Sequence, residues 1–470
     1  MKPHSTGILD PMLENLGHID NPHERFSARV PACAYFTFDH TSSYLAEPRT
    51  ERLQVLWFQD DTDSLISIFQ HPKLSIDQHD VTSADAFRRL AGKYQLPSLK
   101  LNAPWPLETV RIAKPWGAEI WYTGIEDRGV CTAAGIPLPW LTDLLPTTII
   151  GSATAGAPLL LKILDPLPDQ NLGDLYFELH EEKIEVYIVT SVDSTVWPDK
   201  VGKIRYGFNQ TLKAEYPDDA SFRSGYLGAV ANYRATRTTI DRHLDAKRSD
   251  ANLALNSEVP VLLMKKWLAE LPAELTQRES TLRDAMNRFT HLRDIRAGDV
   301  ITVEPFFPHS LQHGVRVVEF QTASYERHIL AFGQKVLTQA HWDTEEAVKQ
   351  AILDLPESSP LEVLDETNGL KVESIARFSA FTAKRISIAA GSQYVLRESQ
   401  DYRLAIGISG LCVIDGVIDG VINEAIDEAS DKVANSTELV SESAFLIPAQ
   451  LSHTMSAKTD VVLLVAEPTA

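Results

Sequence analysis

LLLKILDPLPDQNLGDLYFELHEEKIEVYIVT, residues 159–190, is the stretch on which the reading of this chain turns. Side chains two apart on a strand share a face, so Glu178 and His180 in LYFELH point one way and Phe177 and Leu179 the other. In KIEVYIV, Lys183, Glu185 and Tyr187 share a face. The offset from His180 to Glu185 is odd, so one unbroken strand would put them on opposite faces. A hairpin near Glu181 and Glu182 would bring them together, and two carboxylates, an imidazole and an ammonium would then converge. Taken alone, such alternation is the ordinary mark of a two-faced hairpin with its polar side in water.

Far downstream, RAGDVITVEPFFPHSLQHGVRVVEFQT (residues 296–322) predicts a second hairpin, with His309 after a Pro-rich corner. A His-x4-Glu strand pair followed by Gly-x6-Pro-x2-Pro-His resembles the way a cupin, a small β-barrel, assembles its metal site. LLLKILD, the Glu-x-His strand, Lys-x-Glu-x-Tyr, Pro-His-Ser and VVEFQTASYERHIL together resemble the type I phosphomannose isomerase family, zinc-dependent cupins that interconvert mannose 6-phosphate and fructose 6-phosphate. KPWGAEIWY, from Lys114, resembles the family's opening motif. The resemblance covers roughly residues 107–330.

Carried over position by position, it implies metal ligation by Glu178, His180, Glu185 and His309. It further implies catalytic roles for Lys183, Glu319 and Arg327, and substrate contacts from Lys162, Tyr176 and Arg327. Two positions depart from the family pattern. Glu178 stands where the family has Gln, adding a negative charge to the metal shell. The family's long segment between the ligand His and Lys-x-Glu is almost absent, and that segment helps to shape the substrate cleft.

A chain of 470 residues exceeds what one core usually supports, so two or three domains are expected. Its net charge of −20 argues against general nucleic-acid binding and requires a locally basic pocket for any anionic substrate. Lys162, Lys183 and Arg327 would supply one. Cys33, Cys131 and Cys412 are odd in number and lack CxxC spacing, which suggests neither a disulfide framework nor a thiolate metal site. No apolar run is long enough to span a bilayer, and the first residues lack a signal core. The expectation is a cytoplasmic protein whose partner is a small sugar or sugar phosphate, with no nucleic acid and no membrane.

The fold class expected is mainly β with an α-helical insertion: cupin (jelly-roll) β-barrels, two of them, plus an N-terminal accessory region. Residues 1–100 are read as that region, α/β in type, opening with a loose arm of about twenty-five residues. AYFTFDH, LQVLWFQ and SLISIF read as its strands and SADAFRRLAGKY as a helix. Residues 101–330 form the catalytic cupin, interrupted by helices at about 215–295; residues 331–370 connect; residues 371–470 form a second barrel without a metal site. In the insertion, VPVLLMKKWLAEL and ESTLRDAMNRFTHL carry helical spacing, with Pro272 marking a stop and Ser280 a new N-cap. His243 and His291 are placed on these helices, and Trp116 and Trp121 in the core. VIDGVIDGVINEAIDEASD lacks a calcium-loop pattern and reads as a strand turn.

Aldose–ketose isomerisation removes a proton from the carbon beside a carbonyl and returns it to the neighbouring carbon. A divalent ion assists by taking up charge on the oxygens. Histidine and carboxylate donors suit Zn²⁺, the ion the resemblance favours, and also serve other divalent metals. The alternatives are a cupin that binds carbohydrate without catalysis and, on the ligand set alone, an Fe(II) oxygenase.

Overall fold

The computed structural model describes residues 13–23, 32–416 and 436–469, with interruptions at 43–44, 46, 71–75, 77–80, 127–128, 152–157, 256, 338, 340 and 358. The acidic repeat from residue 417 onward lies outside the described residues. The chain divides into two compact units, one of residues 111–120 and 161–360, the other of residues 1–110, 121–160 and 361–470. Among the described residues no helix is long and apolar enough to cross a membrane.

The first unit is a sandwich of two sheets. Its strands are Val110–Lys114 (β1), Gly117–Trp121 (β2), Leu160–Pro166 (β3), Phe177–Leu179 (β4), Glu185–Val192 (β5), Gly202–Phe208 (β6), Thr290–Ile295 (β7), Val300–Val303 (β8), His309–Leu311 (β9), Val315–Gln321 (β10) and His328–Ala331 (β11). They order as β8-β5-β10-β3-β2-β1 in one sheet and β7-β6-β9-β4-β11 in the other. Leu164, Tyr187, Ile301 and Val317 from the six-stranded sheet meet Ile204, Tyr206, Leu311 and Ile329 from the five-stranded one in a single buried cluster. Trp116 packs into it, as its sequence context predicted.

The alternation in LYFELH holds, but neither expected hairpin forms. β4 pairs with β9 and β11, and β5 pairs with β8 and β10. The short link Glu181–Ile184 therefore carries the chain from one sheet to the other instead of folding it back on its neighbour. Strands β8, β9 and β10 likewise alternate between sheets. The jelly-roll crossing brings His180 and Glu185 face to face across the sandwich, which a flat hairpin would not do.

The helical insertion leaves after β6 and returns at β7, and these two strands pair with each other. It comprises Gln210–Lys213 (α1), Asp219–Asp250 (α2), Val261–Ala269 (α3) and Ala273–Asn287 (α4). The Asp218 side chain caps α2 by accepting from Ser221 N at 2.7 Å, satisfying one of the donors that a helix start leaves unpaired. Phe222, Tyr226, Tyr233 and Phe289 of the insertion pack with Phe177, Leu179 and Phe208 of the five-stranded sheet. Hence the apolar face of β4 is covered by helix, and its polar face is left to the sandwich interior.

Two local readings are corrected. Pro272 is the N-cap of α4, and Ser280 lies inside that helix without starting one. His291 sits on β7, not on a helix. A further helix, Thr344–Gln350 (α5), packs with the same cluster through Ala347 and Val348.

In the second unit, strands Glu14–His18, Cys33–Thr41, Thr50–Gln59, Ser64–Phe69 and Leu99–Lys100 form one sheet. Helix Ala84–Tyr94, capped by Ser83, packs on it through Phe87 and Leu90. Part of the expected loose arm is thus a strand, since Glu14–His18 pairs in parallel with Cys33–Thr41. The final hundred residues supply most of a second two-sheet sandwich, nine strands against four, completed by short strands between Trp105 and Pro137 and by Glu362–Thr367; its core includes Val372, Ile386, Ile414, Met455 and Leu463. Trp105–Glu108 joins its nine-stranded sheet beside Ala444–Ile447.

Candidate metal centre

Three strands and one short link deliver the polar cluster. Glu178 on β4 and His309 on β9 are register partners in an antiparallel pair, and His180 follows β4 directly. Glu185 opens β5 on the opposite sheet. The Pro-rich corner before His309 is held to the same place: Phe306 takes a left-handed φ of 63°, rare for a bulky residue, and its N–H donates to the His180 carbonyl at 2.6 Å.

Both imidazoles are oriented by main-chain acceptors. His180 Nδ1 donates to the Glu326 carbonyl at 2.9 Å, and His309 Nδ1 donates to the Phe307 carbonyl at 3.1 Å. A carbonyl can only accept, so in each ring the proton sits on Nδ1 and Nε2 keeps its lone pair. Burial first, then the nearby Lys183 ammonium, hold His180 well below the ordinary imidazole range, so this ring is neutral.

Glu185 Oε1 lies 3.6 Å from His180 Nε2 and its Oε2 lies 3.2 Å from His309 Nε2. Lys183 Nζ approaches Glu185 Oε1 at 2.5 Å, and the Tyr187 hydroxyl donates to Oε2 at 2.7 Å. Burial pushes the Glu185 carboxyl up, but the Lys183 ammonium beside it outweighs this and holds it well below the usual carboxylate range. Tyr187 faces Glu319 across the β5–β10 ladder. Lys162 Nζ is 3.3 Å from Glu319 Oε2 and 3.7 Å from Glu119 Oε1, and Lys114 Nζ is 2.8 Å from Glu119 Oε2. Burial, with the Glu185 charge beside it, pushes the Glu319 carboxyl well above its usual range against the pull of Lys162.

A metal fits this arrangement on its own geometry. Glu178 Oε2, His180 Nε2 and His309 Nε2 are buried and make no hydrogen bond. A buried polar atom without a partner costs about 1–3 kcal/mol, so three in one place require an explanation. One donor atom from each of these residues lies within 4.8 Å of the others, the arrangement of a metal-ligating group. His180 and Glu185 are 0% and 1% exposed, which makes the cluster an interior feature and not a chance grouping of surface acids.

The remaining residues singled out from the sequence lie around this cluster in different settings. Lys183, Glu319 and Lys162 belong to the buried ion-pair line just described. Tyr176 is in the sandwich core, edge-on to Phe332, and the Arg327 guanidinium lies 5.5 Å over its ring. Arg327 itself is half-buried. Sequence reasoning missed Glu119, although it stands inside KPWGAEIWY. It also missed Glu326, whose Oε1 accepts from the Glu182 and Lys183 N–H groups at 3.0 Å each. No periodicity marks Glu326, because it acts from a loop.

A two-sheet jelly-roll sandwich, interrupted by helices and enclosing an interior His/Glu cluster that could hold a metal ion, is a cupin-type architecture. No protein-family model and no curated protein sequence matches the chain. Among solved structures it is similar to mannose 6-phosphate isomerase from Bacillus subtilis, with a TM-score of 0.52 at 14% identity over 77% of this chain and 99% of that one. It also resembles the apo form of mannose 6-phosphate isomerase from Salmonella typhimurium, with a TM-score of 0.48 at 12% identity over 78% of this chain and 100% of that one. The Bacillus likeness shows the fold, mainly β and cupin-type with a helical insertion.

Proposed function

We propose that the chain is a metal-dependent aldose–ketose isomerase acting on a sugar phosphate, interconverting mannose 6-phosphate and fructose 6-phosphate or a close relative through an enediol. The observation that carries this reading is the set of three buried donor atoms without partners, two of them on imidazoles whose Nδ1 atoms are held by main-chain carbonyls. The fold shared with the Bacillus isomerase supports it. Glu178, His180, Glu185 and His309 would hold the ion, for which zinc suits the donor set. When bound, the ion polarises the substrate's carbonyl and hydroxyl oxygens.

The chain's own groups do the rest. Glu319 takes the proton from the carbon beside the carbonyl and returns it to the neighbouring carbon. A carboxyl lifted above its ordinary range is suited to giving a proton back. Lys162 holds the ionised form of Glu319 in place. Lys183 sets a positive charge beside the cluster and shuttles the proton between the two substrate oxygens. Arg327, supported on the face of Tyr176, clamps the phosphate with its planar fork. The free cysteines suit a reducing compartment, which supports our reading of a cytoplasmic enzyme.

The test is elemental analysis of protein purified without added metal, then an isomerase assay before and after chelation. Chelator-sensitive, metal-restored interconversion is expected. A folded, metal-loaded protein inert towards hexose and pentose phosphates overturns the reading. The second reading, a cupin that binds carbohydrate without turnover, draws on Glu178 and the short Glu181–Ile184 link; calorimetric binding without interconversion would select it.

A further inference from the structure

Below the helical insertion the first unit holds a second cavity, of about 790 Å³, within the range usual for small-molecule sites. None of the residues assigned above to the metal or to catalysis lines it. Its apolar wall comes from Ile240 and Leu244 of α2 and from Val261, Met264 and Leu268 of α3. Met264 and Leu268 are only partly buried, so the cavity presents apolar surface that the chain itself leaves uncovered.

Its polar corner carries an uncompensated charge. Lys335 Nζ lies 2.7 Å and Arg248 Nη1 3.3 Å from the same atom, Asp245 Oδ1, so two cations share one carboxylate. Arg248 is 2% exposed, and its Nε–H is sealed from water without an acceptor. The other basic groups of the wall are paired: Arg237 with Asp241, Arg283 with Glu279 and Lys265 with Asp169, while Lys114 meets Glu119, which it shares with Lys162, itself also beside Glu319. The lining acid not among these pairs, Glu258, is exposed, where water screens it.

We propose that this cavity binds an amphipathic monocarboxylate, with its carboxylate against Arg248 and Lys335 and its apolar body along Leu244, Met264 and Leu268. A single surplus positive charge balances a monoanion. A phosphate monoester, at about −1.5 to −2 near neutral pH, would overshoot it. A guanidinium and an ammonium that share one counter-ion suit the two oxygens of a carboxylate. The inference does not rest on the isomerase reading, and turnover is not its readout.

Decanoate, decanol and inorganic phosphate, each titrated calorimetrically into the full metal-loaded chain, test it. Decanoate is expected to bind, decanol at least tenfold more weakly, and phosphate not to compete. Arg248→Met should weaken decanoate at least tenfold, and Leu244→Trp, which intrudes on the apolar wall, should weaken it as well. If Arg248→Met does not fold, Lys335→Met carries the same test from a partly exposed position. Equal binding of decanol, decanoate binding unaltered in a folded Arg248→Met or Lys335→Met protein, competition by phosphate, or no decanoate binding up to millimolar concentration each overturns the proposal.

Discussion

Glu178 and His309 lie directly opposite one another on β4 and β9, partners in the antiparallel register of these two strands. Side chains opposed in this way sit about 4.5–5.5 Å apart on one face, so a single ladder contact fixes the geometry of two proposed ligands distant in sequence. His309→Ala should leave the sheet paired and remove one donor. Metal affinity is expected to fall by more than the roughly 10–100-fold typical of losing an outer-shell partner. Equilibrium dialysis against zinc checks this, with circular dichroism as the control for folding. Undiminished zinc binding would remove His309 from the centre.

Glu178→Gln replaces a charged donor by a neutral one of the same shape. With Glu185 already ionised beside Lys183, one negative charge fewer should leave the ion more electron-poor. The expected outcome is weaker metal binding, with turnover per bound ion maintained or raised. Measuring kcat against metal occupancy separates the two effects.

Lys183→Met removes the ammonium 2.5 Å from Glu185 and keeps most of the stem's bulk. If Lys183 moves a proton, kcat should drop about 10²–10⁴-fold with the metal retained. If it only neutralises Glu185, metal affinity should change and kcat per bound ion should not. Parallel metal analysis and steady-state kinetics distinguish these results.

Glu326 works through the turn that follows His180, where its carboxylate accepts from two successive main-chain N–H groups. Hydrogen bonds to a charged acceptor are each worth about 1.5–3 kcal/mol. Glu326→Ala should therefore loosen the Glu181–Lys183 turn and lower metal affinity about 10–100-fold. Glu326→Gln, which keeps an acceptor oxygen, should recover much of the loss. Zinc titration of both variants measures the difference.

The side-chain faces of β4 and β5 were legible because Glu178, His180, Glu185 and Tyr187 alternate with large apolar residues, and burial on one side fixes that period. Which strand pairs with which was not. LYFELH carries no mark that its neighbours are β9 and β11, since those contacts depend on residues more than a hundred positions away. The insertion's helical period was readable, yet Ser280 misled, because a serine favoured at caps is also tolerated within a helix once Pro272 has started it. The charged corner of the second cavity was beyond sequence reasoning. Asp245 and Arg248 are one helical turn apart, but Lys335 reaches them from another segment altogether.

His453, in the other unit, supplies a pH test of its own. Burial, with a smaller contribution from the Arg403 charge, pushes its imidazole down to about 4, even though its Nδ1 lies 3.3 Å from the Asp415 carbonyl. The folded chain therefore prefers the neutral ring, while the unfolded chain takes up a proton near pH 6.5. Above that pH both states are neutral and the contribution to stability is whole. As the pH falls from about 6.5 towards 4 the unfolded state binds more protons and the contribution is lost, about 3 kcal/mol in all. His453→Gln, which cannot titrate, should be less stable at pH 7 but lose less on going to pH 5. Thermal unfolding midpoints of both proteins at the two pH values decide it, and a parallel decline in both would assign the acid sensitivity to other groups.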